Sequence, residues 1–126
     1  MHHSRLSAVL FDCNVSDLEE AARFWGAALG RPVDHGHPNN DDNYRVLANP
    51  PDEVMMLVQR VGHESRVHID IETDDIAAEV ARLEKLGAVM HKRFERWAVM
   101  QAPSGQRFCV VNVQRPGFPK NANRWE

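Results

Sequence analysis

The chain has 126 residues, a formal net charge of −3 and a 43% hydrophobic, 26% charged composition. That is the size of one ordinary domain and the balance of a folded, water-facing protein, not of a disordered one. No apolar run approaches the roughly 20 residues a membrane span needs, and no basic stripe marks a nucleic-acid surface. The expected setting is therefore the cytoplasm, with neither membrane nor nucleic acid as a partner.

His2 and His3 fall at the start of the chain, where a frayed or tag-like segment is expected. Leu6–Cys13 is short and apolar and reads as a strand. From Asp17 to Leu29, residues Leu18, Ala21, Ala22, Trp25, Ala28 and Leu29 recur at helical spacing. Ser16 with Glu19 has the form of a capping box, and Gly30 supplies a left-handed stop. Strand-like runs follow at Arg31–Asp34, Tyr44–Leu47 and Val54–Arg60. Between the first two, 35–43 is a Gly-, Pro-, Asn- and Asp-rich loop. Val67–Thr73 alternates strictly, with Val67, Ile69 and Ile71 on one side and His68, Asp70 and Glu72 on the other. A second helix is expected over Asp75–Leu86, capped by Thr73 or Asp74, with Ile76, Ala77, Val80 and Leu83 as its apolar stripe. Ala88–Arg93, Trp97–Gln101 and Arg107–Val113 read as three further strands. The segment 114–126 reads as an extended arm.

The order strand–helix–three strands thus occurs twice, offset by 57 or 58 residues, with Leu29–Gly30 and Leu86–Gly87 marking the same point in each copy. The expectation is one α+β domain over 1–126, with module one at about 5–61, module two at about 66–113 and the arm beyond. Cys13 and Cys109 both lie in apolar runs and read as reduced thiols.

The segment DLEEAARFWGAALG (17–30) resembles the first-helix signature of the vicinal-oxygen-chelate superfamily, the glyoxalase, bleomycin-resistance and dioxygenase type. VHIDIETDD (67–75) is similar to the opening strand of that superfamily's second module, and PSGQRFC (103–109) to its closing turn and strand. The resemblance covers about residues 5–113. It implies two βαβββ modules forming a curved, eight-stranded mixed sheet or open barrel with two helices outside, and commonly a homodimer. It also implies four divalent-metal ligand slots. Here these hold Leu10, His68, Cys109 (where a Glu is usual) and only Val, Met or Leu from Val54 to Val58. One His and one Cys fall short of the three protein ligands a catalytic zinc takes. No cofactor is therefore expected, with a divalent metal as the alternative.

The remaining polar set suggests acid–base chemistry. Asp12 and Asp70 occupy equivalent positions on the two opening strands, on the side of His68, so Asp12, His68 and Asp70 are candidate catalytic residues. Glu72, Trp97, Met56, Arg107 and Cys109 are candidate substrate-binding residues. Each has a plainer reading. His68 pairs with a carboxylate to hold strands together, Arg107 neutralises Asp12, Glu72 is a solvated strand end, Cys109 is a small buried hydrophobe, and Trp97, Met56 and Met100 are core. Three functions remain open. One is a metal-free protein binding a small organic molecule in its cavity. Another is a lyase, isomerase or dioxygenase-type enzyme acting on a small carbonyl or aromatic compound. The last is an interaction module with a filled cavity.

Overall fold

A computed structural model describes residues 1–126. It contains eight strands, paired both parallel and antiparallel, and two helices. Two compact units divide the chain, one formed by 8–67 and the other by 1–7 together with 68–126. The long first strand, β1 (His2–Cys13), runs from one unit into the other.

In the 8–67 unit, the second half of β1 leads to α1 (Leu18–Leu29), β2 (Tyr44–Val46) and β3 (Met55–Arg60). β1 pairs in parallel with β3, and β3 antiparallel with β2. Asp17, not Ser16, caps α1: its side chain accepts from the backbone N–H of Glu20. An Asp at this place satisfies one of the free N-terminal amides and suits the positive end of the helix. Gly30 ends the helix at φ 68°, a left-handed conformation that glycine adopts without a Cβ penalty. The apolar stripe packs Leu18 and Ala22 onto Cys13, Leu47 and Val58, with Phe11, Trp25 and Met56 at the margin. The opposite face of the same strands carries Ala8, Leu10, Val46 and Leu57. Arg31–Asp34 is not a strand; only Val33 makes a bridge, to Leu47. Pro32 lacks the N–H that a ladder requires.

In the other unit, β4 (Arg66–Thr73, of which 68–73 belong here) is followed by α2 (Ile76–Lys85), β5 (Val89–Arg93), β6 (Trp97–Gln101) and β7 (Arg107–Asn112). β4 runs parallel to β7, and the β7–β6–β5 ladder is antiparallel. Asp75 caps α2 by accepting from Ala78 N–H. Val80 and Leu83 of α2 pack on Ala98, Met100, Phe108 and Val110, with Ile71 beside them. Met100 is thus part of the helix-facing core.

The start of the chain is a strand and not the frayed segment expected from sequence, and the extended arm ends in a strand of its own. Asn123–Trp125 forms β8, which pairs antiparallel with His2–Ser4. The eighth strand is therefore this one and not Arg31–Asp34. His2 Nε2 lies 2.8 Å from Glu79 Oε1, and His3 Nδ1 lies 2.8 Å from Asp74 Oδ2. Trp125 Nε1 donates to Ser4 Oγ at 2.8 Å, and its ring lies under the Arg82 guanidinium at 3.9 Å. No helix is long and apolar enough to cross a membrane.

Candidate functional site

Strand alternation builds the site in the unit containing 68–126. On β7, Phe108 and Val110 face α2, so Arg107, Cys109 and Val111 face the other way. Register places Cys109 beside Asp70 of β4 and Val99 of β6, Arg107 beside Gln101, and Val111 beside Trp97. His68 and Asp70 are two apart on β4 and share that face.

The donor atoms of His68, Asp70 and Cys109 lie within 4.8 Å of one another, and all three residues are half-buried. His68 Nε2 is 3.5 Å from Asp70 Oδ1. That oxygen is shielded from solvent and has no hydrogen-bond partner, an arrangement that is costly unless something else satisfies it. Sequence reasoning placed His68 and Cys109 in ligand slots but counted only two donors. The parallel β4–β7 register supplies the third, because it sets Asp70 directly against Cys109.

Asp12 belongs to the 8–67 unit, where it is 4% exposed and in register with Gln59 of β3. Its parity puts it on the Ala8–Leu10 face, away from α1. Arg107 directs its Nε to Gln101 Oε1 at 2.9 Å. Trp97 is exposed at the end of the face and stacks on Phe94, ring centroids 4.2 Å apart.

Two expected positions are corrected. Met56 packs with the α1 core and not on a ligand-facing surface. Glu72 is no solvated strand end: it is completely buried. It accepts from Arg5 Nε at 2.6 Å, Ser7 Oγ at 3.2 Å, Arg115 N–H at 3.2 Å and Gln114 N–H. Its role is to anchor the first and last segments of the chain. Nothing around Glu72 in the linear sequence points to this, since its partners lie 42 to 67 positions away.

The donor set tests the metal question. Imidazole nitrogen, carboxylate oxygen and thiolate sulfur together suit a borderline ion such as zinc better than magnesium or calcium, which prefer all-oxygen shells. Three protein donors also match the number that catalytic zinc sites use while leaving a place for water or substrate. The unsatisfied Asp70 oxygen fits this role. His68, Asp70 and Cys109 would hold the ion.

The two strand–helix–strand units, each with a parallel pair beside antiparallel strands, define a duplicated α+β fold. The chain belongs to the glyoxalase-like domain family, whose sequence profile matches residues 8–111. Comparison with curated proteins finds no match. Among solved structures, methylmalonyl-CoA epimerase from Mycobacterium tuberculosis is similar at 18% identity and a TM-score of 0.60, over 86% of this chain and 87% of that one. Homoprotocatechuate 2,3-dioxygenase from Brevibacterium fuscum, in a complex with 3,4-dihydroxyphenylacetate, is similar at 16% identity and a TM-score of 0.59, over 94% of this chain. The chain spans 40% of that dioxygenase's length. A hypothetical protein from Bacillus halodurans aligns at 11% identity and a TM-score of 0.62, over 90% and 97% of the two chains. These likenesses carry the vicinal-oxygen-chelate fold.

Proposed function

We propose that this protein binds a small organic molecule bearing a carbonyl, hydroxyl or carboxylate oxygen against the β4–β7–β6 face. In this reading a zinc-like ion at His68, Asp70 and Cys109 serves as the anchor. The observation that carries the reading is the buried, unsatisfied Asp70 oxygen grouped with an imidazole and a thiol. An ion bound there would act as a Lewis acid toward a ligand oxygen. Val99 and Val111 give the ligand apolar surface, and Trp97 borders it. Arg107, two residues from Cys109 on the same strand face, offers a cation for an acidic group. Enzymes as different as an epimerase and a ring-cleaving dioxygenase share the fold, so the reaction must be argued from these side chains.

A second reading keeps the ligand and dispenses with the ion. The 3.5 Å separation of His68 Nε2 and Asp70 Oδ1 favours it, since an imidazole held by a carboxylate is suited to proton transfer from a carbon next to a carbonyl. Elemental analysis of protein purified without chelator separates the two. The first reading expects about one zinc per chain, lost in His68→Ala. Protein that is metal-free and takes up no zinc on titration would refute the anchor. Ligand-induced thermal stabilisation abolished by Asp70→Asn would then favour the proton-transfer reading.

A further inference from the structure

Four arginines of the unit formed by 1–7 and 68–126 are wholly or partly buried: Arg5, Arg82, Arg107 and Arg115. Three of them have a carboxylate within salt-bridge distance. Arg5 and Arg115 lie 2.6 and 3.8 Å from Glu72, and Arg82 lies 2.8 Å from Glu79. Arg107 has no such partner; its Nε donates to the neutral Gln101 Oε1 at 2.9 Å. That bond leaves the two terminal nitrogens of the fork and the Gln101 amide nitrogen for an acceptor the chain does not provide. Donors grouped around a half-buried guanidinium select an anion. With Nε committed, the fork presents its end-on pair of N–H groups, whose spacing matches the two oxygens of a carboxylate.

The charge on this face points the same way. A divalent ion held by the Asp70 carboxylate and the Cys109 thiolate would be neutral overall. Glu72, next on the same side of β4, is spent on Arg5. Arg107, together with Lys92, which pairs with Val99, is then uncompensated. Along β7 and β6 the chemistry also changes in steps of two residues, about 7 Å each. Arg107 with Gln101 comes first, Cys109 with Val99 next, and Val111 with Trp97 last. A ligand that meets all three steps has an anionic end, a central oxygen and an apolar end.

We infer, on the reading that a ligand occupies the β4–β7–β6 face, that its class is an oxo carboxylic acid with an aromatic end. Arg107 and Gln101 take the carboxylate, the carbonyl oxygen turns toward His68, Asp70 and Cys109, and the ring lies against Val111 and Trp97. Arg107 is the residue that makes the face specific for acids, and Gln101 positions its fork.

The test titrates the full chain calorimetrically, metal-free and zinc-loaded, with 4-oxo-4-phenylbutanoate, its methyl ester, 4-phenylbutanoate and 3-oxo-3-phenylpropylphosphonate. The oxo acid should bind about tenfold tighter than the ester in both forms. It should bind at least as tightly as the phosphonate, and tighter than 4-phenylbutanoate once zinc is present. Amide shifts should centre on 97–101 and 107–111. Arg107→Gln should equalise acid and ester while leaving ester affinity unchanged. Gln101→Leu should weaken the acid about threefold and spare the ester, whereas a merely structural role would weaken both. Failure to take up zinc would remove the anchor yet leave the acid-to-ester ratio readable, so the two failures are distinct. No saturable binding, equal binding of acid and ester, an acid preference that survives Arg107→Gln, tighter binding of the phosphonate, or shifts centred elsewhere would overturn the assignment.

Discussion

Replacing Glu72 by Ala would strip one carboxylate from beneath four donors and leave the Arg5 guanidinium, whose side chain is 4% exposed, without its counter-charge. Arg5 keeps its contacts with the carbonyls of Arg115 and Pro116 at 2.6 and 2.9 Å and with Asn121, but these are neutral acceptors. Breaking one side of a buried pair generally destabilises by about 3–5 kcal/mol. With a urea m-value of about 2 kcal/mol/M, the midpoint should fall by roughly 2 M. The double variant Arg5→Met/Glu72→Leu removes both charges together, so it should recover at least about 1 kcal/mol relative to the sum of the single changes. Urea unfolding followed by far-UV circular dichroism measures the unaltered protein, Glu72→Ala, Arg5→Met, Glu72→Leu and the double variant. A midpoint shift under about 0.3 M for Glu72→Ala, or strict additivity in the cycle, would show that the buried pair does not tie the chain ends to the unit.

Glu79 is fully buried, and burial alone would raise its pKa. The hydrogen bonds from Arg82, His2 and Ser4 outweigh burial and hold it below its ordinary 4.5. A lowered folded-state pKa gives stability that is present above about pH 4.5 and lost as pH falls through the folded value. The melting temperature of the unaltered protein should accordingly drop more steeply between pH 5 and 3 than that of Glu79→Gln, and parallel curves would contradict this. A Cβ on Gly26 would lie 2.8 Å from the Arg31 carbonyl oxygen and 3.4 Å from Pro32 Cα, both backbone. Gly26→Ala should therefore destabilise by about 1–3 kcal/mol despite alanine's better helix propensity; an unchanged denaturation midpoint would show that the 31–32 turn yields. Cys109→Ser should reduce zinc affinity in a competition assay while leaving the unfolding free energy of the metal-free protein within about 1 kcal/mol, and unchanged affinity would remove the thiol from the donor set.

Much of the fold was legible because its signals are local. The stripe of α1, the alternation of 67–73 and the two Leu–Gly stops lie within one or two turns of chain, so periodicity alone placed both helices and most strands. Caps were misplaced by one or two residues because Ser16, Thr73 and Asp74 have the same chemistry as the Asp17 and Asp75 that act. The tail strand was not legible, since Asn123–Trp125 is polar and pairs with residues about 120 positions away. The site was half visible. His68 and Cys109 stood in recognisable slots, but which carboxylate joins them depends on β4–β7 register, and no pattern within either strand encodes that. Glu72 shows the same limit in reverse: its alternation matches that of Asp70, yet Arg5 and Ser7 claim it.

The boundary between the two sequence repeats falls near residues 61–66, but the compact unit containing the second repeat also requires 1–7. A gene fragment cut at the repeat junction would thus encode Glu72 and Glu79 while omitting Arg5, Ser7 and His2. Its product would be a half-protein with two entombed carboxylates short of their partners. A peptide spanning the first seven residues, added in trans, is the missing piece such a fragment would have to recapture.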